Sequence, residues 1–450
     1  LIRIFSLSDN SGERLHYFKQ WMRQTERFRG DFLELLKIIG MESQLNGFNN
    51  SADYVMFLSE WPTFREDTEN VWNALLPFYR PMHELVRRRL TRMYGSKRVS
   101  PTGPLDVHLL GAQGYLTSDE VDLPATATWN EMLHLSSKLS NLTAVRMLEV
   151  AESFYVSLGL PKLQPEFWER SLIEFSPSEA GFSCEASAWD FCNGRDYRIK
   201  MRSEATLSGL KTAYHELAHV YYFMQYKHLP HVFRTGANPG FHEAVADALS
   251  WLGIQSRTLQ EHIGVGLMST DAGMRNLLEL AFDHVGQTFH AIATSKWLWK
   301  VLDEPQSDKR IDSLYWEMRL KYEGIRTSLG SGARRLRPSA DYDFLAHESR
   351  IRSMFSFIAQ MQIIRYLCAA TNDTGRLHEC DIHGSKEAGR RLMSILKLGS
   401  SEPLPEVMKT INGGRSKMLD TSAVLEYFSP VLEWLKNNEP EGDVGWSSFS

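Results

Sequence analysis

Two short segments constrain this chain more than any other part of it: His215-Glu216-Leu217-Ala218-His219 and, after a loop, Gly240-Phe241-His242-Glu243-Ala244-Val245-Ala246-Asp247. On a helix, residues i and i+4 lie one turn apart on the same face, so His215 and His219 can turn both imidazoles toward one metal ion. Glu216, beside the first histidine, is left free to handle a water. Catalytic zinc takes three protein ligands and keeps a fourth position for water or substrate. Glu243, 24 residues beyond His219, is the best candidate for the third. Any fold that satisfies this pattern must bring two helices face to face.

The flanking residues predict those helices. From Leu207 to Tyr226 apolar and aromatic residues recur at helical spacing, and the run stops at Leu229-Pro230. Gly236, Asn238, Pro239 and Gly240 break the chain before a second helical pattern, Phe241 to Leu252. Glu243 and Asp247 share a face of it, one to ligate zinc and the other to accept the free N–H of a zinc histidine. His242 points to a different face and is not expected to be a ligand. A bare HExxH also arises by accident on surface helices, and a lone histidine on an apolar face is more often a core residue. The second helix, with its two acids, weighs against that reading here.

Wider similarity supports the motif. Ala186-Ser187-Ala188-Trp189, Tyr222 to Pro230 and Gly236 to Glu243 lie around it; farther out are Pro77-Phe78-Tyr79, His108 to Gly111, Arg319 to Tyr322, His378 to Ile382 and Ser385 to Gly389. In these segments and their order the chain resembles the angiotensin-converting enzyme family of zinc dipeptidyl carboxypeptidases. The resemblance implies a mainly α fold, a large helical ellipsoid with a deep central cleft and a small β-hairpin beside the zinc site. It also implies zinc on His215, His219 and Glu243, Glu216 as general base, and a peptide substrate. The hairpin is legible from Glu185 to Lys200, where Asn193-Gly194 is a turn signal between β-favouring runs. By resemblance it borders the cleft, with Ala186 and Ala188 positioned to pair with an extended peptide.

With 450 residues, no internal repeat and no linker-like tract, the chain is expected to form a single zinc peptidase domain, 1–450. The net charge of −5, with Lys and Arg scattered, suggests no nucleic-acid partner. Leu1 to Ser8 is too short and too polar for a signal peptide, and no run approaches a membrane span. The resemblance begins partway into the family's domain, so a leader and the first lid-forming helices are expected to lie outside this sequence. An extracellular or secreted protein is expected, with a membrane-anchored full-length form left open. Cys368 and Cys380 match a disulfide of the family, which favours an oxidising compartment. Asn49, Asn141 and Asn372 begin glycosylation signals. Cys184 matches a family cysteine whose partner has been lost near Arg202, and Cys192 cannot easily replace it, because eight residues along an extended strand span about 26 Å while a bridge needs Cα atoms within about 7 Å.

Around the zinc motif the family's substrate pocket is rewritten. A backbone-binding histidine becomes Glu185, while the Lys, Tyr and Gln that hold the substrate's terminal carboxylate become Asp341, Arg350 and Leu116. A histidine and a tyrosine that stabilise the tetrahedral intermediate become Asp343 and Ser353. Arg350 can clamp a carboxylate or pair with Asp341 or Asp343. Arg352 and Arg319 correspond to chloride-binding arginines. The expected function is therefore a zinc metallopeptidase releasing C-terminal dipeptides, with altered specificity or reduced activity. The alternative is a zinc-bound, catalytically weak homologue that binds peptides or a protein partner; a metal-free helical scaffold is a third, weaker reading.

Overall fold

Helix boundaries fall where local chemistry puts them. Thr206, extended before the first turn, accepts the Gly209 N–H on its hydroxyl and starts the helix Leu207–Tyr226; Leu229-Pro230 then prevents its continuation. The second site helix, Phe241–Gln255, begins after Asn238, whose side chain accepts the Gly240 N–H in a tight turn. Apolar residues also recur at helical spacing from Thr68 to Met93 and from Ser353 to Ala370, and these stretches lie within or overlap the helices Phe64–Tyr94 and Ile351–Cys368. Phe64–Tyr94 runs through Pro77 and Pro81, and its buried face of Leu75, Phe78, Tyr79 and Met82 keeps it docked across the bonds those prolines remove.

The computed structural model describes residues 8–58, 60–61, 63–111, 114–121, 137–173, 186–202, 205–264, 270–303, 308–329, 351–371, 375–438 and 446. The fold is mainly α, with two small sheets among the described residues. The chain divides into two compact units, one built from Leu1–Leu123, Asn276–Met354 and Ser429–Ser450, the other from Pro124–Arg275 and Phe355–Phe428. Two of the junctions fall inside continuous helices, Thr270–Asp303 and Ile351–Cys368, so no change of composition marks them in the sequence.

The first unit is centred on aromatic packing. Tyr79 stacks on Phe289 with ring centroids 3.8 Å apart, and Phe32 stacks on the fully buried Trp297. At Gly286 an added Cβ would lie 1.9 Å from the carbonyl oxygen of Leu116, so the segment carrying Leu116 crosses the helix Thr270–Asp303 where only glycine admits it. Leu116 itself is fully buried.

The second unit carries both site helices and the hairpin. Strands Ser187–Asp190 and Tyr197–Met201 pair antiparallel, Ser187 opposite Lys200 and Asp190 opposite Tyr197. Asn193 and Gly194 lie in the connecting loop, where the Asn193 side chain accepts from the backbone of Arg195 and Asp196 and Gly194 takes a φ of 77°. Leu172–Ile173 pairs with the far side of Tyr197–Met201, so Ser187–Asp190 is an edge strand among the described residues. A disulfide joins Cys368 to Cys380, as the resemblance implied, with Cα atoms 6.1 Å apart; closing a loop of that size is worth about 3 kcal/mol through the unfolded chain. Cys192 is exposed and free, and Cys184 lies outside the described residues.

Gly253 lets the two site helices approach closely. A Cβ there would sit 2.3 Å from the ring of Tyr214, which is fully buried, and Ser250 donates its hydroxyl to the Lys211 carbonyl across the same interface. Helix propensity favours alanine over glycine by about 1 kcal/mol, but overpacking a fixed ring outweighs that gain. Gly253→Ala is therefore expected to lower stability by about 1–3 kcal/mol in urea or thermal unfolding. Unchanged or raised stability would mean that the helices are not in this contact.

Candidate metal centre

His215 and His219 project from one face of Leu207–Tyr226 toward Glu243, in the first turn of Phe241–Gln255. Ligand-capable atoms of these three side chains lie within 4.8 Å of one another. His215 Nε2 is 3.1 Å from His219 Nε2 and 3.3 Å from a Glu243 oxygen, and His219 Nε2 is 3.7 Å from the other. Donor atoms about 2.0–2.2 Å from a tetrahedral zinc are separated by spacings of this order. The observed gaps thus fit the ion without rearrangement of either helix.

The outer ring nitrogens support the same assignment. His215 Nδ1 is 2.9 Å from Asp247 Oδ1, one turn beyond Glu243. The proton of that contact belongs to His215, so that once an arriving metal displaces the proton on Nε2, the lone pair there is directed at His219 and Glu243. His219 Nδ1 is in hydrogen-bond contact with Nδ1 of His242. For His219 Nε2 to hold a cation, its Nδ1 must carry the proton and donate to His242, whose own proton then lies on Nε2. His242 was expected on a different face. It is absent from the three-residue cluster, but its ring is wedged between His219 and Tyr222, with centroids 4.6 and 4.3 Å away. The available sequence signal was position: a side chain next to Glu243 can reach the far side of the facing histidine when two helices touch.

Electrostatics follow from burial and these partners. Burial alone would disfavour the His215 imidazolium, but hydrogen bonds and charge from Asp247 and Glu243 outweigh it and push His215 up to about 10. Burial, then the neighbouring imidazoles, hold His219 well below its ordinary value, and burial with the His215 charge takes His242 down to about 3. The His215 hydrogen bond holds Glu243 below the usual carboxylate range, against its burial. Burial pushes Glu216 up to about 7, opposed by His215 and reinforced by Glu243. Glu216 is 6% exposed, and its Oε2 has no hydrogen-bond partner among the described residues. A carboxyl titrating near neutrality, one residue from a metal face, can take up and release a proton.

The remaining residues divide by position. Ala186 and Ala188 are half-buried at the hairpin edge, which packs on the helix Leu207–Tyr226. Ser353 and the exposed Arg352 lie in the first turn of Ile351–Cys368, in the first unit by its bounds. Arg319 is fully buried in that unit and paired with Glu323. Asn49 and Asn141 are exposed. Glu185, Asp341, Asp343, Arg350 and Asn372 lie outside the described residues.

A sequence profile of the family described as angiotensin-converting enzyme matches residues 1–446. Angiotensin-converting enzymes of Oryctolagus cuniculus and Bos taurus are each 34% identical over 462 aligned residues, spanning 100% of this chain and 35% of theirs. That of Theromyzon tessulatum is 30% identical over 452, spanning 98% of this chain and 72% of its own. The chain thus spans about a third of the length of the two mammalian relatives.

Because His215 titrates near 10 in the metal-free site, a metal must displace its proton at neutral pH. Zinc binding followed by calorimetry in buffers of differing ionisation enthalpy is expected to release about one proton per ion. Affinity should rise about tenfold per pH unit from pH ~7 toward ~9 and be lost on acidification. Glu243→Ala should weaken retention strongly, because it leaves two histidines alone. Binding without proton release would contradict the ligand assignment.

Proposed function

The chain belongs to the angiotensin-converting enzyme family, and from that premise we propose that it is a zinc metallopeptidase that releases C-terminal dipeptides from peptide substrates. The observation that carries this reading is the convergence of His215, His219 and Glu243 within 4.8 Å, beside the buried carboxyl of Glu216. When bound, zinc would polarise the scissile carbonyl and make a water acidic enough to lose a proton near neutral pH. Glu216 takes the proton from water and delivers it to the leaving amine, a task that favours a carboxyl titrating near 7 over one at the ordinary value of about 4. A nearby dication would draw this value down, toward the base form. Asp247 and His242 hold the two ring orientations.

The edge strand Ser187–Asp190 offers backbone groups to an extended peptide, and Ala186 and Ala188, with little side chain, leave room for it. In our reading Glu185, Asp341, Asp343 and Arg350 tune that binding. Two aspartates against one arginine favour a substrate end that is amidated or basic. Arg352, exposed at the start of its helix, is the remaining candidate for chloride modulation of the rate. A secreted or cell-surface setting is supported by the Cys368–Cys380 bridge and by the exposed signals at Asn49 and Asn141. No helix among the described residues is long and apolar enough to cross a membrane.

A second reading, a zinc-bound protein that binds peptides and turns them over weakly, draws on Asp343 and Ser353. These stand where the family's intermediate-stabilising His and Tyr are expected, and losing one such donor commonly costs about 3–4 kcal/mol. Turnover of a short peptide separates the two readings. We expect cleavage two residues from the C-terminus, lost by a factor of about 10²–10⁴ in Glu216→Gln with metal content unchanged. Undiminished cleavage in that variant would refute the proton-transfer role. Matched free-acid and amidated peptides should favour the amide; a preference for the acid that disappears in Arg350→Ala would instead make the arginine a carboxylate clamp.

A further inference from the structure

Outside the metal centre, Arg319, Glu323 and His290 form a fully enclosed set of ionisable groups among the described residues of the first unit. Arg319 and Glu323 are 0% exposed and His290 is 2% exposed. Arg319 and Glu323 are i and i+4 on the helix Asp308–Glu323, and the guanidinium meets the carboxylate side-on. Nε donates to Oε1 at 2.5 Å and Nη2 to Oε2 at 2.7 Å. Nη2 also donates to the Gly114 carbonyl at 2.6 Å, and Nη1 lies 3.5 Å from the Tyr315 hydroxyl. His290 Nδ1 is 3.2 Å from Glu323 Oε1, and its ring stacks on Tyr115. Tyr79 donates its hydroxyl to the Glu323 backbone carbonyl, fixing the helix end on which the carboxylate sits.

This geometry does not fit the anion that resemblance assigns to Arg319. A buried guanidinium needs one negative charge nearby, whether covalently attached or free. Here the same helix supplies it one turn away, on the donor edge that a free anion would use. A second anion would face the Glu323 carboxylate at close range in a dry interior, where like charges repel strongly. Burial raises and the Arg319 charge lowers the Glu323 carboxyl; the charges prevail, so Glu323 stays ionised, and Arg319 stays cationic.

We propose that Glu323 is a built-in anion at Arg319: its carboxylate stands where a free chloride would otherwise neutralise the buried guanidinium, and the unaltered chain takes no halide at this position. Removing the carboxylate should therefore create a halide site. Glu323→Ala leaves Arg319 uncompensated beside newly opened space. A double variant, Arg319→Met with Glu323→Met, removes both charges and keeps the volume filled.

Thermal midpoints of the three proteins, measured in sodium chloride, sodium bromide and sodium gluconate at equal ionic strength, test the proposal. Glu323→Ala is expected to melt well below the unaltered protein in gluconate and to recover by several degrees, saturably, as chloride or bromide replaces it. The unaltered protein and the double variant should lack that extra halide shift; any effect through Arg352 appears equally in all three. The proposal is overturned if Glu323→Ala responds to halide no more than the unaltered protein, or cannot be recovered folded in any halide concentration. It is also overturned if a halide shift in the unaltered protein vanishes in the double variant. Crystals of the unaltered protein soaked in sodium bromide give a check that needs no variant: no anomalous peak is expected beside Arg319, and a peak there would overturn the proposal.

Discussion

The close approach of two helices, Leu207–Tyr226 and Phe241–Gln255, is the constraint on which the site depends. Three contacts set it along the interface: Gly253 beneath the Tyr214 ring, Ser250 on the Lys211 carbonyl, and Asp247 on His215 Nδ1. The first allows the distance, the second fixes the register, and the third couples that register to a ligand's orientation. Sliding one helix by a turn would separate Glu243 from both histidines by more than the length of its side chain. The packing that forms this core therefore also builds the metal centre.

Charge in the centre is arranged to receive a cation. The lone pairs of two imidazoles and a carboxylate are crowded together, which is unfavourable unless a proton or a metal shares them. In the metal-free chain the proton goes to His215, because Asp247 and Glu243 flank it. His219 and His242 stay neutral, since burial penalises a second positive charge beside the first. The opposite solution appears around Arg319, where a cation fixed in the chain finds its anion one turn away. Both follow from the high cost of burying an uncompensated charge.

The site was largely legible in the sequence because its geometry is helical. The i, i+4 spacing of His215 and His219, and of Glu243 and Asp247, specifies faces directly, and both helices form where the breakers Pro230, Gly236 and Pro239 leave them. The hairpin was legible from Asn193-Gly194, although these residues lie in a longer loop than a two-residue turn. His242 stands outside the three-residue cluster, as its helical phase implies, but its contact with His219 was not legible, because the partner a side chain reaches depends on how closely the helices pack. At two of its junctions the two-unit organisation carries no sequence signal, since there the chain passes between units within helices. Arg319 was read by resemblance alone; its pairing with Glu323 follows from the i, i+4 spacing on one helix face.

X-ray absorption at the zinc edge of the purified, folded protein tests the account most directly, because it reports the ligand atoms rather than their consequences. The account predicts one zinc per chain with a first shell of two imidazole nitrogens and carboxylate or water oxygen at about 2.0–2.2 Å, and loss of the carboxylate contribution in Glu243→Ala. A sulfur-containing shell, a shell unchanged by that substitution, or folded protein that holds no zinc would contradict it.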